Sequence, residues 1–312
     1  MTHAYSLYGL SVRSELALPE LHRLSEGDWV DRPDVTVRLG RSDVPAGSSE
    51  DICLLPNGAG FRVPGVGSYS VAGGREIIVD PAAGAVEANV RLYLLGSAMG
   101  LLLHQRGVLP LHANAIDIDG TAFAFMGPPG AGKSTLAAYF NQYGARVLAD
   151  DVCAVTLGSD GWAWIGPGLP RVRLWRNTLA ALELEPGDYP RSYAGDPGYD
   201  KFDVPLRPVQ QKARQLGGVF ILVSGDAPGI RSLGGAAAMN ALVENIYRGS
   251  WAAVTGSLDR HWRRCLEIAS STPVFELEIQ RDLAALPELV ARMATFCRGL
   301  LDERIAKEGA GH

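Results

Sequence analysis

The sequence lacks most of what would place it outside the ordinary globular proteins. No segment of the 312 residues repeats, and no low-complexity tract interrupts them. The opening residues, Met1-Thr2-His3-Ala4-Tyr5, have neither the basic start nor the long apolar stretch of a signal peptide. The longest apolar run, Leu92 to Leu103, is broken by Gly96, Ser97 and Gly100. It falls short of the ~18 to 20 residues that a membrane span needs, so it predicts a buried helix and no membrane partner. Cysteine is scarce: Cys53, Cys153, Cys265 and Cys297 contain no C-x-x-C pair, which argues against a structural zinc site and a disulfide framework. Reduced thiols in a cytoplasmic protein are the expectation. Net charge is -5 with no basic block, so the clustered Lys and Arg of a nucleic-acid groove are missing. Hydrophobic residues at 47% and charged residues at 20% exclude wholesale disorder, and the length suits one large or two ordinary domains.

What is present is a complete G-x-x-x-x-G-K-S motif, Gly127-Pro128-Pro129-Gly130-Ala131-Gly132-Lys133-Ser134, followed by Thr135. It follows the apolar run Thr121-Ala122-Phe123-Ala124-Phe125-Met126 and leads into Leu136-Ala137-Ala138-Tyr139-Phe140, which has no helix breaker. Strand, glycine-rich turn and helix are the context that a phosphate loop requires. Glycines let successive N–H groups converge on one anion, and the helix adds the positive end of its dipole. Lys133 would reach the β- and γ-phosphates of a nucleotide, and the Ser134 hydroxyl would enter the shell of a Mg²⁺ ion.

Before Val86 the chain has β character with many turns. Val35 to Leu39 alternates, Gly60 to Val63 precedes the turn Pro64-Gly65, and Ser68 to Val71 and Glu76 to Asp80 surround Gly73-Gly74. No catalytic constellation falls here, which predicts a small β-rich domain that braces a partner or the rest of the chain. Glu87 to Gln105 predicts a packing helix, stopped by Arg106-Gly107-Val108-Leu109-Pro110. The expected division is therefore 1-105 and 106-312. In the second part Leu111 to Ile118 and Thr121 to Met126 flank Asp119-Gly120, a tight-hairpin signature. That hairpin carries His112 toward the phosphate loop, although a lone histidine is also often a satisfied structural residue.

Ala145 to Ala149 predicts a strand that ends in Asp150-Asp151. Carboxylates at a strand end beside a phosphate loop can hold Mg²⁺ or accept the proton of an attacking hydroxyl. Arg171 and Arg173 alternate on one face of an extended segment that either meets phosphate or is solvated. Glu185 to Asp203, rich in turn formers and tyrosines, is a candidate mobile loop, with Arg191 and Lys201 as its cations. Leu216 to Val223 predicts a central strand, Ala236 to Tyr247 and Leu258 to Ala269 predict helices, and Pro273 to Ile279 predicts a strand. A last helix spans Pro287 to Glu303, with a frayed tail over 307–312. Arg248, Arg263 and Arg264 are expected on helix surfaces.

Taken together, Leu111-His112-Ala113, the hairpin, Gly127 to Ser134 and Leu148-Ala149-Asp150-Asp151 resemble the catalytic core of the HPr kinase/phosphorylase family over about Leu111 to Val155. The resemblance implies an α/β protein, with a phosphate-loop catalytic domain akin to phosphoenolpyruvate carboxykinase beside a smaller β-rich N-terminal domain. It further implies an ATP- and Mg²⁺-dependent serine kinase in which Lys133 binds phosphate, Ser134 assists the metal, Asp150 is the base, Asp151 supports the metal and His112 lines the site. Subunits of that family form rings, which makes a homo-oligomer an expectation. The family's Glu-Ile-Arg-Gly signature has no match near Gly166 to Arg173. The amino-terminal part is more similar to the stand-alone kinases encoded with lasso peptides, which phosphorylate the terminal serine of a precursor peptide, so the expected acceptor is a serine of a peptide or small protein such as that ribosomal precursor peptide. An HPr-type regulatory kinase/phosphorylase, a phosphate-loop ATPase and a nucleotide-binding regulatory module are the alternatives.

Overall fold

A computed structural model describes residues 2–25, 30–48, 51–196, 198–207 and 209–309. It is a mixed α/β structure with three sheets. Seven short strands build the first: β1 (His3–Leu7), β2 (Leu10–Ser14), β3 (Val35–Leu39), β4 (Cys53–Leu55), β5 (Gly58–Val63), β6 (Gly67–Ala72) and β7 (Glu76–Pro81). Their order is β1-β2-β3-β7-β6-β5-β4. Period-two alternation decides the buried face: Val35 and Val37, Ile77 and Val79, Phe61, Tyr69 and Val71 all point into one core. Gly73 and Gly74, at φ 58° and 62°, make the tight turn between β6 and β7 that their sequence predicts.

The predicted helix after Val86 is present but interrupted. α1 (Glu87–Tyr93) passes through a π-helical turn (Leu94–Ala98) into α2 (Met99–Arg106), which ends at left-handed Gly107. Such turns widen a helix locally and often mark functional positions. The apolar side of this helix seals the first sheet: the Tyr69 hydroxyl donates to the Val90 carbonyl at 2.9 Å, and Phe61 stacks on Tyr69 at 4.9 Å. Trp251, Val152, Ala154 and Leu169 enter the same core from later in the chain. The turn between β1 and β2 also leans on the later chain, with the Tyr8 amide donating to Pro167 at 2.7 Å. A Cβ on Gly166 would lie 2.7 Å from the Tyr8 carbonyl, so that approach needs glycine.

The second part runs β8 (Leu109–Leu111), β9 (Ala113–Ile118), β10 (Thr121–Met126), α3 (Lys133–Tyr143), β11 (Arg146–Ala149), β12 (Cys153–Leu157), β13 (Ala163–Ile165) and β14 (Arg171–Trp175). It continues through α4 (Arg176–Ala181), β15 (Lys201–Pro205), β16 (Arg214–Ser224), β17 (Gly229–Leu233), α5 (Gly235–Glu244), α6 (Ser250–Val254), α7 (Leu258–Ser271), β18 (Val274–Ile279) and α8 (Leu286–Gly309). β10 and β18 flank β16 in parallel, while β9 pairs antiparallel with β10 and with β11. β14 and β15 form a separate two-stranded ribbon. Residues alternate across the large sheet by size: Ile116, Ile118, Phe123 and Phe125 pack with α3 and α8, whereas Ala113, Ala115, Ala122 and Ala124 face the core that includes α5 and α7. Phe125, Phe220 and Phe275 stack in succession at 5.1 and 5.2 Å on the first of those faces.

Three expectations change. Leu111 to Ile118 is not one strand: β8 pairs with β12, β9 pairs with β10, and His112 lies between them with its amide donating to the Asn245 carbonyl at 2.7 Å. The stretch Glu185 to Asp203 is not all loop: it carries a 3₁₀ turn at Pro186–Asp188 and the start of β15. The last helix continues through Gly309, and residues 310–312 of the expected frayed tail lie outside the described residues. All four cysteines are free, and among the described residues no helix is long and apolar enough to cross a membrane.

A buried histidine pair joins α2 to α7. His104 Nε2 donates to the Tyr247 carbonyl at 2.9 Å, which leaves its Nδ1 to accept from His261 Nε2 at 2.9 Å. Burial pulls His104 down from 6.5 to about 4, and burial together with His104 and nearby Arg264 pulls His261 down as well. Both rings fold neutral, so the unfolded chain binds more protons than the folded one between about pH 6.5 and 4. Stability should be fully present above pH 6.5 and fall as the solution is acidified through that window. Chemical denaturation at a series of pH values should show this slope, and a His104→Asn, His261→Asn double variant should flatten it.

Candidate active site

The turn after β10 is shaped by its glycines. Gly127, Gly130 and Gly132 sit at φ 145°, 82° and 89°, and Gly132 caps α3. A Cβ on Gly127 would be 3.0 Å from the Leu222 carbonyl and 3.3 Å from Ala131, whereas Gly130 has open space around it. Lys133 is buried at the start of α3, and its Nζ curls back to donate to the carbonyls of Gly127 at 2.6 Å and Pro128 at 3.2 Å. Burial draws Lys133 below the usual lysine range, with Asp151 and Asp150 opposing that shift. Pro129, Gly130, Ala131, Gly132, Lys133, Ser134 and Thr135 line a cavity of about 480 Å³, whose other walls include Trp175, Asn177, Lys201 and Arg281.

β11 delivers the aspartates. Asp150 is buried and accepts the Ser134 hydroxyl at 3.0 Å and, more weakly, the Arg173 amide at 3.4 Å. Asp151 follows in the left-handed region at φ 72°, a conformation in which Asp is enriched. This kink sends adjacent carboxylates to different neighbours. Asp151 pairs with the Arg173 guanidinium and lies 3.6 Å from His112 Nε2. Their electrostatics diverge accordingly. Burial, reinforced by repulsion from Asp151, pushes Asp150 up to about 6. Burial pushes Asp151 the same way, but Arg173, His112, Arg171 and Lys201 outweigh it and hold Asp151 below the ordinary carboxylate value. Burial and the Lys133 charge lower His112, which favours its neutral form.

A second cavity, of about 530 Å³, lies on the other side of the aspartates. His112, Asp151 and Arg173 line both cavities, while Asp150 lines only the second. The far wall of the second is the π-helical turn with Leu95, Gly96 and Ser97, and its rim carries Tyr193 and Tyr199. Two compartments therefore meet at a carboxylate, an imidazole and a guanidinium. Asn89, buried on α1, grips the backbone of Ala194 with both ends of its amide at 2.8 Å, which ties the tyrosine-rich segment to the helix.

The arginines are not a solvated face. Arg171 pairs with Asp203 at 2.9 Å and lines the second cavity, and Arg173 lines both. Lys201 sits 4.8 Å over the Trp175 ring and lines the phosphate-loop cavity. Arg191 pairs with Asp200 at 3.0 Å and, like Arg263 and Arg264, lines neither cavity. Arg248, expected on a helix surface, lines the second cavity instead.

Sequence reasoning passed over three supports. Asn245 accepts the Gly127 amide on its side chain at 2.9 Å and the His112 amide on its carbonyl at 2.7 Å, linking the loop to the histidine. Asn114 donates to the Lys133 carbonyl from the middle of β9. Tyr247 borders His112 edge-on at 6.1 Å. A lone Asn or Tyr carries no spacing signal, so nothing in the sequence marked them.

Glycine turns, a buried lysine and a helix start fit a polyphosphate, and the oxygens of Ser134, Asp150 and Asp151 are the hard donors that Mg²⁺ prefers. Replacing Lys133→Ala should weaken binding of a fluorescent ATP analogue by about 10- to 100-fold, the loss expected for a charge-assisted contact. Anisotropy titration checks this, and unchanged affinity would remove the lysine from the site.

No family model and no curated protein matches the chain. Among solved structures, it is similar to an HPr(Ser) kinase/phosphatase from Coxiella burnetii, at 14% identity, with 64% of this chain and 98% of that chain covered and a TM-score of 0.32.

Proposed function

We propose that the chain is an ATP- and Mg²⁺-dependent kinase that transfers the γ-phosphoryl group to a serine hydroxyl of a peptide or small protein, with a ribosomal precursor peptide as the acceptor that the sequence resemblance favours. On this reading residues 106-312 form the catalytic domain, of the phosphoenolpyruvate-carboxykinase-like type, and residues 1-105 form a domain that supplies one wall of the acceptor cavity. The observation that carries the proposal is the pair of cavities joined at His112, Asp151 and Arg173. A hydrolase needs only a nucleotide site and water, whereas group transfer needs a second compartment that opens onto the first.

The nucleotide occupies the loop cavity, where backbone amides and Lys133 hold its phosphates. Ser134 and Asp151 would hold the Mg²⁺ ion, which when bound would neutralise charge on the phosphate oxygens. Asp150, on the acceptor side, accepts the hydroxyl proton as the serine oxygen bonds to the γ-phosphorus and the bond to the ADP oxygen breaks. Arg173 and Lys201 face the transferred group and disperse its charge. His112, between the two compartments, orients Asp151.

Asp150→Asn should keep nucleotide affinity within about threefold of the parent while lowering phosphoryl transfer by about 10² to 10⁴, the usual contribution of a general base. Radiolabel from γ-labelled ATP, followed onto serine peptides, measures the loss. A variant with full transfer would take the base role away from Asp150.

A further inference from the structure

The histidine pair behind Tyr247 leaves one polar atom unanswered, and the bonds around it fix its chemistry. A backbone carbonyl can only accept, so His104 Nε2 carries the hydrogen that meets the Tyr247 carbonyl at 2.9 Å. His104 Nδ1 is then a lone pair, and the hydrogen across the 2.9 Å contact between the rings belongs to His261 Nε2. Burial, with His104, Arg264 and Arg260 acting in the same direction, lowers His261 far enough to keep its ring neutral. His261 Nδ1 is therefore an acceptor. The ring is wholly buried, and among the described residues no donor reaches that atom.

A donor on the same helix face is unanswered too. Arg264 stands three residues after His261 and four after Arg260, the two spacings that make neighbours on a helix surface. It is half-buried, and its Nη1 is shut off from water without an acceptor. Among the described residues no carboxylate pairs with Arg264 or Arg260. Burial and the Arg260 charge lower Arg264, and Glu267, which makes no ion pair with it, only opposes that shift. Arg260 has a partial offset. It lies against left-handed Gly107, where a Cβ would come within 2.0 Å of its Nη1, and so meets the negative end of the α2 dipole. Arg264 has none, and a guanidinium withdrawn from water without a counter-ion is costly.

One ligand that answers both atoms has to accept hydrogens from a guanidinium and donate one to an imidazole lone pair. Water does both but leaves the charges uncompensated. Sulfate and carboxylates compensate charge but carry no hydrogen at neutral pH. Inorganic phosphate has anionic oxygens and at least one O–H in the same ion. We propose that His261, Arg264 and Arg260 form a binding site for inorganic phosphate on α7, apart from the phosphate loop. The O–H donates to His261 Nδ1, the anionic oxygens accept from the two guanidinium groups, and entry takes a rotation of the Arg264 side chain. Phosphate seated there holds the ring that, through His104, fixes the Tyr247 carbonyl, and Tyr247 lines the second cavity. The site is independent of the kinase reading.

The test titrates sodium phosphate and sodium sulfate by calorimetry, at neutral pH and equal ionic strength, into the full chain saturated with ADP so that the loop is occupied. Phosphate should bind with a Kd of about 1 mM or tighter, and about tenfold or more tightly than sulfate, the effect of leaving one buried acceptor unpaired. Arg264→Gln changes a half-exposed position and spares the core; it should weaken phosphate by about tenfold or more, and Arg264→Lys should restore part of the loss. In a parallel titration followed by histidine ring-nitrogen NMR, the His261 Nδ1 signal should move with the same Kd. Absence of phosphate binding would leave a water between the two atoms and overturn the proposal. Equal affinity for phosphate and sulfate would mean an adventitious ion only. Affinity that survives Arg264→Gln, or a His261 signal that stays still, would place the ion elsewhere and overturn the site.

Discussion

The left-handed kink at Asp151 is the constraint on which the site depends. In a regular strand, adjacent side chains point to opposite faces and one of two neighbouring carboxylates would be lost to the core. Here β11 stops at Ala149, and the turn that follows lets Asp150 reach the Ser134 hydroxyl while Asp151 turns to Arg173 and His112. Two acids that would repel each other are thereby separated in role: one is buried and drawn toward neutrality, and the other is kept ionised by cations.

Much of the remaining molecule holds that junction still. Asn245 fastens the first amide of the phosphate loop and the amide of His112 from the end of α5, so the loop and the histidine cannot drift independently. His104 and His261 fix the Tyr247 carbonyl from behind. The first sheet contributes through the helix it supports, because α1 and the π-helical turn form the outer wall of the second cavity and Asn89 ties down the tyrosine-rich segment. The core behind that wall is shared between early and late parts of the chain, with Trp251 against Phe61 at 5.3 Å.

The legible features were local ones. Gly127 to Thr135 announced its own conformation, because glycines at positive φ and a lysine at the helix start leave few alternatives. Asp119-Gly120 called a hairpin that has both residues at positive φ, alternation located β3, the Gly73-Gly74 turn located β6 and β7, and an unbroken apolar run located β16. The break at His112 was invisible, since a run with one histidine reads as one strand until β12 pairs with Leu109 to Leu111 and takes its first residue. Arg171, Arg173 and Arg248 were ambiguous for a similar reason: an arginine on a strand or in a turn looks the same in sequence whether it faces water or a cavity, and the answer lies in residues far away, Asp203, Asp151 and Ser97.

The sequence by itself determined the glycine-rich turn, the hairpin leading to it and the paired acids at the next strand end, because each is encoded by backbone preferences within a few residues. Only the tertiary structure decided that the acids face two compartments, that α1 and its π-helical turn enclose the second, and that one arginine there has no carboxylate partner among the described residues. Those facts depend on contacts between segments more than a hundred residues apart, such as Ser97 with Arg248 and Asn89 with Ala194. Local propensity carries no record of such contacts, which arise only when separate elements bury their apolar faces against one another.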